Sequence, residues 1–262
     1  MTALLLAREA LADAVRRRIA LVVAGFALVS LFFVESCTSC SPTITAQGQE
    51  VALQQVAGAG GLAVALVLGL WAIVLGGILA SDHLAEPLED GSALLLLARP
   101  VSRDVYALTR LAGAWLLAAG TAALLLFASA ALLSVRQGLP AAPMFGAWLA
   151  CLASAWTVGA LAMTASLWLP RAVTALLVFG GVWLLAGLET AARLGAELSG
   201  VARLVDTFGP PLASGILIAL AGWLEPTAQI HGSATEVALR ALVWCAGSTA
   251  LLVVGFRRLE LR

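Results

Sequence analysis

Four carboxylates, Asp82, Glu86, Glu89 and Asp90, fall within nine residues of one another and beside a histidine, His83. Gly91 follows, then an apolar run from Leu94 to Leu97, then Arg99-Pro100-Val101-Ser102-Arg103. Acids and guanidinium groups crowded on a short element can make charge-assisted hydrogen bonds to a protein partner. Clustered acids beside a histidine can also support acid–base chemistry at a lipid surface. The plain alternative is a solvated face next to a membrane. A connection that merely turned the chain around needs only a handful of residues, so the stretch reads as a short helix built to bind something.

A second pair of reactive residues is Cys37 and Cys40 in Cys37-Thr38-Ser39-Cys40. A local disulfide or two free thiols is the plain reading. A metal or redox pair is the sharper one, but two thiolates without a nearby histidine make an incomplete metal site. Cys151 and Cys245 lie in apolar runs, where a cysteine behaves as a small hydrophobe.

Other chemistries are closed by what the chain lacks. It has no lysine, so every basic residue is an arginine. A P-loop needs the lysine of its phosphate cradle, and a Schiff-base enzyme needs a lysine amine. His83 and His231 are far apart in sequence, which excludes a multi-histidine metal site and leaves a Ser-His-Asp arrangement little to draw on. No cofactor and no metal is expected in this chain.

The elements that carry these residues follow from composition. Of 262 residues, 61% are hydrophobic and 11% charged, with a formal net charge of zero. That is too little polar surface to coat a water-soluble globule, and the charge balance gives no reason to expect nucleic acid. An all-α integral membrane protein is expected, forming one domain over residues 1–262. Runs long enough to cross about 30 Å of hydrocarbon as helices are Ile19–Val34, Val56–Ala80, Leu111–Val135, Phe145–Leu169, Ala172–Leu188 and Ala241–Phe256. None alternates as barrel strands do.

Arginine placement sets the topology. With the N-terminus inside, the inner segments hold Arg8, Arg16, Arg17, Arg18, Arg99, Arg103, Arg110, Arg171, Arg257, Arg258 and Arg262, and the outer ones only Arg136, Arg193, Arg203 and Arg240. Both termini are therefore expected in the cytoplasm of a bacterium, with the chain in its inner membrane. Residues 81–110 form an inner loop and 189–236 an outer segment. Leu212–Leu224, between Pro210-Pro211 and Glu225-Pro226, is apolar but too short to cross, and reads as re-entrant or interfacial. Ala191–Asp206 carries Leu194, Leu198, Val201 and Val205 at helical spacing and suits an amphipathic helix on the outer face. Leu4, Ala7, Leu11 and Val15 give the N-terminus a similar pattern. A cleaved signal peptide fits less well, since the basic cluster starts late and no small-x-small site follows Val34.

No Asp, Glu, His or Arg falls inside any of the six runs, so an ion-coupled mechanism has nothing to bind its ion. Hydroxyls such as Thr121, Ser129, Ser154, Thr157 and Thr164 are expected to bond their own backbone or join helices. Glycines around the second run (Gly58, Gly60, Gly61, Gly69, Gly76, Gly77) permit close helix approach. Trp115, Trp148 and Trp168 sit where an interfacial belt would be, while Trp71, Trp183 and Trp244 are expected between helices.

The loop resembles that of the permease subunits of type-2 ABC transporters, especially the group serving nitrous-oxide reductase maturation. Glu89-Asp90-Gly91, Leu94 to Leu97, Arg99 to Arg103 and Arg110 follow that family's order of acids, glycine, leucine-rich run, proline-valine-serine-arginine and basic residue. Gly209-Pro210-Pro211 and Glu225-Pro226 match its external segment more loosely, and the outer cysteines are a departure. The resemblance implies a six-span subunit that works as a dimer with a second copy or a sister chain. Asp82, Glu86, Glu89, Asp90, Gly91, Arg99, Pro100 and Arg103 would form a coupling helix docked on a cytosolic ATPase, which would hold the ATP and magnesium. Motion would then export a substrate or act on an external protein. Two other classes stay open: a membrane scaffold without transport, and a lipid enzyme built on Asp82–Asp90 and His83.

Overall fold

The computed structural model describes residues 45–46, 49–50, 53–89, 102–224 and 230–258, with Gly25 and Phe32 as single helical positions. The rest of the expected first span, the N-terminal amphipathic segment and the Cys37/Cys40 pair lie outside the described residues, as do Asp90, Gly91, Arg99 and Pro100. A two-residue antiparallel ladder, β1 (Thr45–Ala46) with β2 (Gln49–Glu50), precedes the helices. Then come α1 (Leu53–Glu89), α2 (Arg103–Gln137), α3 (Pro143–Ser166), α4 (Arg171–Arg193), α5 (Gly200–Phe208), α6 (Ser214–Ala219), a 3₁₀ turn (Ala221–Trp223) and α7 (Ala234–Arg258). Five of these, α1 to α4 and α7, are long and apolar enough to cross a membrane. They coincide with the second to sixth expected runs.

The helices outrun the apolar stretches because their polar ends are themselves good helix caps. Ser102 opens α2 with extended backbone, and its hydroxyl accepts the Val105 N–H at 3.4 Å, while Asp104 lies in the positive first turn. At the far end Arg136 sits in the last turn and Gly138, at φ 68°, closes the helix with its N–H on the Ser134 carbonyl. Pro143 enters at the first turn of α3, where a missing N–H costs nothing. At its 37 residues, α1 is about 55 Å long, well beyond the hydrocarbon layer.

α1 is the spine, packed against α2, α3 and α4. Ala65, Ile73, Val74 and Ala80 are fully buried on it. Its glycines are used inside the chain: a Cβ at Gly77 would lie 2.7 Å from Val178 and 2.8 Å from Val158, and one at Gly69 would meet Ile216 at 2.7 Å. The hydroxyls do what was expected of them, Thr121 and Thr164 each donating to the carbonyl four residues back. Two tryptophans do not form a belt. Trp115 donates to the Leu152 carbonyl at 2.8 Å and Trp148 to the Ala119 carbonyl at 3.1 Å, so both tie α2 to α3. Trp71 and Trp183 pack edge to face with centroids 5.9 Å apart.

After α4 the chain departs from the expected outline. The helix continues to Arg193, and the amphipathic helix is shorter than Ala191–Asp206, because Gly195 (φ 90°) and Gly200 (φ 56°) break the backbone on either side of the linker. α5 leaves Val201, Leu204 and Phe208 largely exposed along one stripe. Leu212–Leu224 forms a short helix and a 3₁₀ turn packed into the bundle, with Leu212, Ala213, Ile216, Leu217 and Leu220 at most 1% exposed.

Candidate functional site

Two groups of charged residues lie at opposite ends of the bundle. Arg240 and Arg257 belong to them and are seventeen residues apart on α7, about 25 Å along the axis.

The first group is the expected inner loop, and much of it is helix. Asp82, Glu86 and Glu89 ride on the last two turns of α1, and Arg103 begins α2, so only residues 90–102 connect the two helices. Positions 82, 86 and 89 recur at helical spacing, which puts the three acids along one face of a rod continuous with the span. Asp82 is half-buried, His83 buried and Arg103 exposed. A residue that sequence reasoning passed over ties this region to the far end of the chain. Arg257 clasps Asp104 with two N–H groups, its Nε lying 2.8 Å from Oδ1. Two residues on, buried Tyr106 stacks on buried Phe256 with ring centroids 6.0 Å apart, and Arg110 lies over the Tyr106 ring. The start of α2 therefore moves with the end of α7. The signal was present as Asp104 and Arg257, but their partnership spans 153 residues and has no local pattern.

The second group lies just beyond the apolar runs, on helix that extends past them. Glu189 is 1% and Arg193 7% exposed, and both lie on α4, which runs one turn past the apolar run. Glu236 and Arg240 lie on the first turns of α7. Their role follows from the re-entrant segment between them. Irregular backbone at membrane depth is tolerated only where its N–H and C=O groups find partners within the protein. Glu189 Oε2 accepts the N–H groups of Ala213 (2.7 Å) and Ser214 (3.0 Å), which begin α6. Arg240 donates to the Gly209 carbonyl at 2.7 Å and lies 3.8 Å from Glu189 Oε1. Arg193 donates to the His231 carbonyl at 2.9 Å, to Ser214 Oγ at 3.3 Å and to Glu236 Oε1 at 3.3 Å. Ser154 of α3 donates to the Pro211 carbonyl at 3.2 Å, and Trp223 to that of Pro140 at 3.2 Å. Glu189/Arg193 and Glu236/Arg240 are each i, i+4 pairs, a spacing visible in the sequence.

Chemically the two groups differ. The first joins the start of α2 to the end of α7 through Asp104 and Arg257. The second is already engaged with the backbone and holds a hairpin in place. Among the described residues no three His, Cys, Asp or Glu side chains are grouped to hold a metal ion. No known family model matches the chain, and no curated protein matches it.

Reversing the charge of Asp104 alone or of Arg257 alone is expected to loosen the α2–α7 end, whereas exchanging the two residues restores it. Thermal unfolding in detergent of each variant measures this: equal melting in all three would show that the clasp holds nothing.

Proposed function

We propose that this chain is the membrane-spanning permease subunit of an ATP-driven transporter of the type-2 ABC class, in a bacterial inner membrane with both termini in the cytoplasm. The observation that carries the reading is the pairing of charged helix ends with a mechanical link. α1 extends past its apolar stretch carrying Asp82, Glu86 and Glu89, α2 starts at Arg103, and Asp104–Arg257 and Tyr106–Phe256 bind that end to α7. A partner gripping residues 82–103 would pull three spanning helices together, as rigid-body transmission requires.

The absence of lysine supports a separate motor. With no P-loop of its own, the chain would draw on a cytosolic ATPase that holds ATP and magnesium, and a second permease copy or sister chain would complete the membrane part. The stroke would either export a substrate or act on an external protein. Charge-assisted bonds from Glu86, Glu89 and Arg103 to the ATPase suit such docking, because they are strong and directional.

The test is co-purification of the ATPase followed by hydrolysis measurements. Reversing Glu89 and Arg103 together is expected to abolish stimulation of the ATPase while leaving expression and solubility in detergent unchanged. Undiminished stimulation in that double variant would remove the coupling assignment. A chain that purifies alone with hydrolytic activity on lipids would replace the reading with an enzyme.

A further inference from the structure

We propose that a recess between α3, α6 and α7 is a binding site for one hydrocarbon chain of a bilayer lipid. The recess encloses about 450 Å³, within the span of about 300–1,000 Å³ typical of ligand sites. Its walls include Ala150 and Ala153 of α3, Gly215 of α6, and Ala238, Leu242 and Cys245 of α7. Small residues on three elements leave the space. The backbones around it are nonetheless pressed together, since a Cβ on Gly215 would come within 2.6 Å of the Ala150 Cβ. The void is therefore a walled feature beside tight packing.

Its chemistry selects the occupant. The only side chain with a polar hydrogen among those six is Cys245, whose thiol already faces the Ala153 carbonyl at 3.4 Å. Water would find too few partners there, and an ion none. A flexible apolar chain loses nothing on entering and gains contact on all sides.

Position selects the source. The lining residues of α7 lie in its N-terminal half and those of α3 near its start, which places the recess in the half of the hydrocarbon layer beside the re-entrant hairpin. Ala238 and Leu242 both line it and are exposed, Leu242 at 66%, so the mouth opens sideways from the bundle. α7 is the least buried of the five long helices. What lies at such a mouth in a bilayer is acyl chain. This reading rests only on the chain's being embedded in a membrane and is independent of any ATPase.

The full chain in nanodiscs of phosphatidylcholine, doped with a phosphatidylcholine bearing a diazirine on one acyl chain, provides the test. After irradiation, adducts are expected to concentrate on peptides covering residues 146–153 and 238–245. Ala238→Trp plugs the mouth and is expected to cut those adducts about tenfold, the scale of evicting a few methylene groups from an apolar site. Leu239→Trp puts the same bulk on the neighbouring exposed face, outside the recess, and is expected to leave them unchanged. Adducts spread evenly over every exposed helix face, indifferent to Ala238→Trp, would overturn the proposal in favour of ordinary surrounding lipid. Loss of adducts on α7 together with crosslinks between two copies through α7 would overturn it in favour of a dimer contact.

Discussion

Replacing Glu189 by alanine is expected to destabilise the protein by about 2–4 kcal/mol, chiefly the cost of leaving two buried N–H groups without an acceptor. The carboxylate is 1% exposed and does two jobs at once. One oxygen accepts the first two N–H groups of the re-entrant helix, at 2.7 and 3.0 Å, and the other lies 3.8 Å from the Arg240 guanidinium. Without it, the two N–H groups lose their acceptor in the interior, each at a penalty of about 1–3 kcal/mol, and half-buried Arg240 keeps the Gly209 carbonyl and Glu236, 3.7 Å away, as partners. Glu189→Gln separates the contributions, because the amide oxygen can still accept from Ala213 and Ser214 while the charge is gone; it is expected to fall between wild type and alanine. The double variant Glu189→Ala/Arg240→Ala is expected to lose less than the sum of the single losses, as groups in one network do. Thermal unfolding in detergent reads all four proteins. An alanine variant that melts with the wild type would mean that the hairpin does not depend on this carboxylate.

The second large effect is expected at Gly58. A Cβ there would collide with the main-chain carbonyl of Trp223, whose indole is 5% exposed and bonded through Nε1 to the Pro140 carbonyl at 3.2 Å. A backbone atom cannot swing aside as a side-chain end can, so Gly58→Val should reach or exceed the upper end of the about 1–3 kcal/mol common for overpacking. The hairpin would be forced off α1, and residues 200–224 would become accessible to protease added on that side of the membrane. Gly60, two residues on, has open space at its Cβ position. Gly60→Val is therefore expected to fold normally, and equal behaviour of the two variants would show that the α1–hairpin contact is not what holds the segment.

Both predictions turn on a part of the molecule whose existence, though not its wiring, was readable beforehand. Leu212–Leu224 is too short to cross and too apolar to stay in water, so a segment packed against the other helices was the expectation, and burial of Leu212, Ile216, Leu217 and Leu220 agrees with it. How a broken backbone survives there is a different matter. Its partners come from α4, the loop after α2, α3 and α7, and such pairings between distant segments leave no periodic trace. That the helices run beyond the apolar runs and carry Glu189 and Arg193 has a related reason. Hydropathy ends a run where the first charge appears, at Leu188, but a helix ends where its backbone loses its caps or meets a glycine at positive φ, here after Arg193. The same distinction explains why the acids at 82, 86 and 89 belong to the α1 helix.

What the amino-acid order determined alone is the membrane as solvent, the helical form of the apolar runs and the absence of any lysine for a P-loop, because each follows from composition or from a single residue type. The clasp of Asp104 by Arg257, the Glu189–Arg240 brace and the apolar recess beside α7 were decided only by the tertiary structure. Each depends on which faces of separate helices are brought within a few ångströms, and helix packing sets that collectively, through the small residues of α1 and the glycines that let the hairpin close upon it.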